Sequence, residues 1–570
     1  MTNERKYGEQ HESQRYITSG EGDRTVMRKL QQVWLPLFLA CIAIGSASAQ
    51  SFRVQCPTST ITHPDPNNLG LNNAEPAYNG ATTLALNGNG FLAPTANVNG
   101  AIKCQQISGG DGYATMGDGS QTYMFSFGPL SGLADLANGL PATQFPSVFN
   151  NLAQQPLVPG DPATTDGIAA GYGTNNWPMS FPLSTAAFSW NGAVGQVLDL
   201  DAQAAGTCGG QNQPSCIDGH VDPRQIMDVG VMNGNIPAPL MAIDEDDEYF
   251  LTLTNVGMIM RPDLFEQHTV HFHGYPNASA FYDGVPDASV AINIGASFTY
   301  YYLAPDAGTY FWHCHITPPE HLQMGMVGQL YVRPRQNRVP SNTTLYAGLQ
   351  AQQTDPRTAC NSSADILCSN PLPAVVTTAK GGGKYAYNDG DGSTYYDVEY
   401  PLQIHGFDPN FHFVGMTFNP EGFADMKDKY FLLNGRSYPD TVTPGPLFTQ
   451  SSDGRTHFSQ PLPAIISMTQ GQKALLRISD LDVSEYQTLA SLGIPMQVIG
   501  YNAKLLRDQA GNNMYYTTNS ITLGGGESLD VILDSTGVPK GTYYLYTPNL
   551  DHLSNDAENF GGLMTEVRIN

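Results

Sequence analysis

The segment YFWHCHITPPEHLQMGM, residues 310–326, sets three histidines, one cysteine and two methionines within seventeen positions. A second segment, HTVHFHG at 268–274, adds three more histidines. Two imidazoles, one thiolate and a weak thioether make the blue-copper electron-transfer set, in which the thiolate is the strong ligand and the thioether tunes potential. Zinc is the structural rival, but it binds in a tetrahedral set of strong ligands and gains little from a thioether. The plain alternative is a metal-free cluster of core histidines.

These side chains have to be aimed by their backbone. If both segments are strands, successive side chains alternate between faces. His271 and His273 then share a face, and His268, three residues earlier, points to the other. On the second strand His313 and His315 share a face and Cys314 opposes them. The residues sort into two sets: His268 with Cys314, and His271, His273, His313 and His315 together. Pro318-Pro319 ends the extended segment, and the loop that returns offers His321 and Met326 to the first set.

The rest of the chain agrees with strands. Helical periodicity is nearly absent, and Gly, Pro, Asn and Asp punctuate β-rich runs such as YFLTLTNV, SFTYYYLAP and SLDVILDS, which predicts an all-β fold. The sequence also repeats weakly: VMNGNIPAPL (231–240) echoes FLLNGRSYPDT (431–441), and GTYFWHCHI (308–316) echoes GTYYLYTPN (541–549). The repeat divides the chain into an arm (50–99), a first β-domain (100–335) with a Gly/Ala/Asn/Pro-rich insertion at about 130–225, a linker (336–384) and a second β-domain (385–570).

Arg28 and Lys29, the apolar run VWLPLFLACIAIG and Ala47-Ser48-Ala49 form a secretory signal, with cleavage expected after Ala49. The run is too short to span a bilayer. The net charge of −25 repels nucleic acid and anionic membrane and attracts cations or a basic partner. The acidic run DEDDE at 244–248 reads as a solvated loop between two strands, or less simply as a cation lure. In an oxidising compartment cysteines pair, here as Cys208–Cys216, Cys360–Cys368 and Cys56–Cys104, the last tying down the arm. Cys314 is left over between two histidines, as a ligand would be.

At these motifs the chain resembles the multicopper oxidases. HTVHFHG is similar to their H-x-x-H-x-H-G motif and HCHITPPEHLQMGM to their H-C-H motif with trailing His and Met; YDGVPDASVAI and LLNGRSYPDT add to the likeness. It is nearest to two-domain, outer-membrane-associated bacterial forms. The resemblance implies two cupredoxin-like Greek-key β-barrels. It further implies that His268, Cys314, His321 and Met326 hold a type 1 copper, that His271 faces a type 2 copper, and that His273, His313 and His315 face a type 3 pair. Cys314, bonded to His313 and His315, would carry electrons between the sites. One departure stands out: six residues separate Cys314 from His321 where the family has four, which brings in Met324 as an alternative axial ligand.

The family's trinuclear cluster uses eight histidines, four from each of two domains. The second domain does not supply its share. Where the repeat predicts the first motif it has IPMQVIG (494–500), and where it predicts H-C-H it has Tyr546, Thr547 and Pro548. His405, His412, His457 and His552 form no His-x-His pair. The expectation is an exported, homo-oligomeric copper oxidoreductase that oxidises a phenol or a reduced metal ion and uses oxygen as acceptor, its inner site incomplete within one chain. A nitrite-reductase-like enzyme and an electron carrier without oxygen chemistry are the rivals.

Overall fold

Strand β6 (Ser297–Leu303, SFTYYYL) shows how the sequence builds its sheets: Phe298, Tyr300 and Tyr302 enter one core while Tyr301 turns to the other face. This computed structural model describes residues 55–64, 72–149, 234–350, 371–417, 422–450 and 456–570, apart from 133–134, 137, 259, 275–278 and 305 within them. The expected signal (1–49), most of the insertion (150–225) and the pairs Cys208–Cys216 and Cys360–Cys368 lie outside the described residues.

The first half contains two four-stranded sheets. One runs β2 (Gln121–Pro129), β1 (Ile102–Thr115), β4 (Glu248–Gly257), β6; the other runs β3 (Met241–Asp244), β8 (Val327–Arg333), β7 (Gly308–His313), β5 (His271–Phe272). Their inner faces enclose Phe125, Phe127, Tyr300, Trp312 and Leu330. The second half repeats the scheme. β10 (Tyr430–Leu433), β9 (Val398–Phe407), β12 (Lys473–Asp480) and β15 (Ser528–Asp534) copy the first sheet, with β14 (Met496–Tyr501) added beyond β15. β11 (Ile466–Met468), β17 (Met564–Ile569), β16 (Gly541–Tyr546) and β13 (Gln487–Leu492) copy the second. Parallel and antiparallel neighbours correspond throughout: β1/β4 and β9/β12 are parallel, as are β3/β8 and β11/β17. The fold is all-β with two cupredoxin-like halves, as the sequence predicts.

The halves are joined through polar contacts. The Thr309 hydroxyl donates to Asp530 Oδ1 at 2.7 Å, Ser528 Oγ donates to the Thr309 carbonyl at 2.6 Å, and Arg333 reaches Glu399 at 2.8 Å.

The acidic run 244–248 is neither solvated nor a lure: every member is buried. Glu245 accepts from the Arg335 and Ala307 backbones and from Asn388; Asp246 pairs with Arg335 at 2.7 Å; Asp247 accepts from the Ala101 and Asp244 backbones. Glu248 is bound by His63 at 2.8 Å and by Thr60, Thr62 and Tyr301. Burial alone would raise its carboxyl, but the donors from His63, Thr60 and Thr62 outweigh that and hold it at about 2. Burying a charge is tolerated only with such partners, so the run is a corner into which the arm and, through Arg338 on Glu245 and Asp246, the linker lock. The Cys56–Cys104 disulfide is formed and anchors the arm as expected.

The linker is packed as well: Leu345 and Leu349, on a helix at Leu345–Gln350, join Tyr78, Val339 and Tyr385. The start of the insertion is built into the first half through the Cys104–Gln144 bridge and buried Phe149.

Candidate metal centres

His268 Nδ1 or Nε2, Cys314 Sγ and a ring nitrogen of His321 converge within 4.8 Å of one another, all three residues fully buried. His268 is fixed by paired backbone hydrogen bonds to Ile292 rather than by a full strand. Cys314 follows the end of β7, and His321 sits on a short helix, α1 (Pro318–Gln323), where the sequence suggested a loop. His321 Nδ1 is 3.3 Å from Cys314 Sγ. Burial pushes the thiol up and the imidazole down, but their mutual attraction outweighs it, holding the Cys314 thiol below its ordinary value and lifting His321 to about 9. His268 has no hydrogen-bond partner at either ring nitrogen, and burial keeps it neutral. A buried imidazole with both nitrogens orphaned is costly unless something else binds it. A soft cation next to the thiolate fits that requirement, and copper's preference for thiolate with imidazole fits the donor set.

The two candidate thioethers separate cleanly. The Cys314 N–H donates to the Met326 carbonyl at 3.1 Å, continuing the β7/β8 ladder in which His313 stands opposite Val327. Met326 is therefore the cross-strand neighbour of Cys314, and directly opposed residues share a face. The Met324 thioether instead lies against Gly415 on α2 (Pro409–Thr417), its sulfur 3.6 Å from where a Cβ would stand.

On the opposite side of the strand pair, His271, His273 and His313 bring ligand atoms within 4.8 Å of one another. The His315 ring is centred 5.0 Å from that of His271 and 5.4 Å from that of His313. The parity expected from sequence thus sorts all six motif residues. His271 Nδ1 donates to the Asp283 carbonyl at 2.7 Å and His313 Nδ1 to the Cys314 carbonyl at 2.6 Å, which leaves both Nε2 atoms unprotonated, as a metal ligand requires. His273 Nε2 is 2.9 Å from His313 Nε2. Burial and His271 lower His273 to about 4, so it is neutral and ligand-ready at pH 7.

Three functional neighbours were not read from the sequence. A Cβ on Gly109 of β1 would stand 2.4 Å from His268 Cδ2, so that position must be glycine for the ring to fit. Glu266 Oε2 is 3.5 Å from His321 Nε2 and partly exposed, connecting that ring to the surface. Asp283, within the YDGVPD segment, orients His271. A third convergence, Glu75, Asp244 and Asp247, encloses the Lys103 ammonium 3.0 Å from Glu75 and is an internal ion pair.

The second half corrects one equivalence. β13 pairs with β16 as β5 pairs with β7: Ala490 is opposite Tyr546 where His271 is opposite His313. The counterpart of HTVHFHG is therefore QTLASLG (487–493), not IPMQVIG (494–500), which forms the added strand β14. Repeats of this kind are aligned by strand pairing, and the sequence offered no pairing information. The absence of histidines there stands. Gln487, Thr547 and His552 take the places of His268, Cys314 and His321, and Leu563 takes that of Met326, since the Thr547 N–H donates to the Leu563 carbonyl at 3.0 Å. His405 and His412 are buried and committed elsewhere: His405 to the Leu322 carbonyl, His412 between the Tyr123 and Gln323 carbonyls.

Residues 217–337 match the family model described as multicopper oxidase. Multicopper oxidase MCE of Talaromyces pinophilus is 34% identical over 120 residues, covering 21% of this chain and 18% of that protein. Laccase-1 of Emericella nidulans is 36% identical over 117 residues (20% and 17%), and the copper-containing nitrite reductase of Rhizobium meliloti is 32% identical over 130 residues (21% and 31%). The match thus spans less than a fifth of the two oxidases' length. Among solved structures, the blue copper oxidase of Nitrosomonas europaea aligns with 59% of this chain and 78% of its own at 22% identity and a TM-score of 0.40. Over residues 217–337, which carry the histidine- and cysteine-bearing segments, the chain is similar to the multicopper oxidases, a family that uses copper.

Proposed function

We propose that this chain is an exported copper oxidoreductase that accepts single electrons from a small donor at one site and delivers them to dioxygen at another. On this reading His268, Cys314 and His321, together with Met326, would hold a type 1 copper, and His271, His273, His313 and His315 would hold the inner copper. Bound copper supplies the one-electron couple and the affinity for oxygen; the protein supplies placement.

The observation that carries the reading is the position of Cys314. Its sulfur belongs to one pocket, while the residues bonded to it on either side, His313 and His315, face the other. A few covalent bonds therefore connect the two sites. The core around Trp312 and Phe127 excludes water from the strand pair between them, which keeps the backbone that carries both sets of ligands rigid.

The donor side is read from His321. Its outer nitrogen meets Glu266, and Glu320 sits near enough to Glu266 to be raised by it, after the larger effect of burial. Two carboxylates at that edge suit a reduced metal cation over a neutral phenol. The Cys56–Cys104 disulfide supports an oxidising compartment.

The test is a copper-loaded preparation of the full chain. Intense blue absorption that disappears in Cys314→Ser, together with oxygen uptake driven by a ferrous or phenolic donor, is the expected result. A colourless loaded protein would overturn the copper reading; nitrite consumption without oxygen uptake would replace the oxidase with a reductase.

A further inference from the structure

We infer that the inner histidines are completed by a second copy of this chain, first half against first half across a two-fold axis, with copper as the bridge. The inference rests on the copper reading above and specifies the partner that its inner site requires.

The cluster is one-sided. His271, His273, His313 and His315 all project from β5, β7 and the residues following them, so any ion they hold is ligated from one direction. His271, His273 and His315 are only partly buried, and that open side faces solvent. The second half of the same chain reaches the cluster through the backbone at Gly526, where a Cβ would stand 2.7 Å from His273 Nδ1; it lines the cavity beside His273 with Asp482, Glu485, Tyr486 and Glu527 but, among the described residues, with no imidazole.

Elimination then identifies the partner. Among the described residues, His405, His412 and His552 are engaged in buried hydrogen bonds, His552 with Gln487 and Glu485. The second half's surface equivalent to the histidine face carries Ala490, Leu492, Tyr546 and Pro548, so that face of another copy brings no imidazole either. A second first half does. An isologous contact presents the same four rings from the opposite direction, giving eight around the axis. The surface beside the cluster suits contact: Phe281 is 44% exposed and lies two residues before Asp283, whose carbonyl orients His271.

Sedimentation mass and copper per chain are measured for the full chain, with and without copper or chelator. The expected result is a dimer that forms with copper, dissociates with chelator, and holds more than two copper ions per chain pair beyond the type 1 sites. His271→Ala should stay monomeric while keeping the blue band, which shows that it is folded. Phe281→Asp, which removes no ligand, should weaken dimerisation at least tenfold. A copper-loaded protein that is blue yet monomeric overturns the dimer and leaves the copper reading standing. An assembly that ignores chelator, or that is broken by Leu492→Asp and not by Phe281→Asp, also overturns it. Absence of the blue band counts against the underlying copper reading instead.

Discussion

His552 Nδ1 stands 3.0 Å from Gln487 Oε1, and these two residues occupy the places that His321 and His268 hold in the first half. The backbone around them is unchanged: the Leu563 N–H donates to the His552 carbonyl at 3.0 Å, as the Met326 N–H donates to His321 at 2.9 Å. The second half has kept the pocket and one donor, His552, and lost the other three.

Restoring them should restore binding. The triple substitution Gln487→His, Thr547→Cys and Leu563→Met is expected to add one copper per chain and a second blue absorption. Elemental analysis with visible spectroscopy checks this. A folded triple variant with unchanged copper content would show that the correspondence is of backbone alone.

Gly109→Ala should damage the first pocket specifically. Its Cβ would overlap His268 Cδ2, and overpacking of this kind costs about 1–3 kcal/mol. Weakened blue absorption and a lower melting temperature are expected. Gly88→Ala, with nothing within 4 Å of the new methyl, is the matched control and should change neither. Equal behaviour of the two variants would refute the steric argument.

Glu266→Gln should distinguish donor classes. Removing a partly exposed charge is worth about 1 kcal/mol, so KM for a ferrous or cuprous donor should rise a few-fold. KM for a neutral phenol should stay level. A parallel rise for both would mean that Glu266 acts on His321 and not on the donor.

The junction between the halves predicts an acid limit to stability. Burial would raise the Glu399 carboxyl, but Arg333 and Arg477, at 2.8 and 3.1 Å, outweigh it and hold it at about 2. In the unfolded chain the same group returns to 4.5. Because the folded value is the lower one, the stabilisation is complete above about pH 4.5 and drains away as pH falls toward 2. Glu399→Gln should cost about 3 kcal/mol at neutral pH, the low end for breaking a buried pair, since it leaves buried Arg477 with only Asp530, at 3.6 Å, as a charged partner. Urea titrations at pH 7 and pH 3 test this: the gap between parent and variant should shrink in acid, and a constant gap would rule the ion pair out as its source.

Much of the site was legible because strand parity is a local rule. Alternation alone separates His268 and Cys314 from the other four motif residues, and Cys314 as the unpaired thiol follows from counting. What was not legible depends on partners distant in sequence. The preference proposed for Met326 over Met324 rests on the Cys314–Met326 pairing across the strands. Gly109 lies more than 150 residues before the ring it accommodates, and a strand glycine taken alone signals a bulge or a tight bend just as well. The solvated-loop reading of 244–248 fails for the same reason: its charge was visible, but His63, Arg335 and Asn388, which neutralise or bind it, come from three separate parts of the chain.

That acidic corner also changes how the arm should be regarded. A version beginning at residue 72 would remove Thr60, Thr62 and His63 from Glu248, leaving it Tyr301 as its one remaining side-chain partner, and would cut the Cys56–Cys104 tie as well. The arm works as a stopper. Trimming it for expression or crystallisation would uncork the first barrel, and solubility would fail before any question about catalysis could be asked.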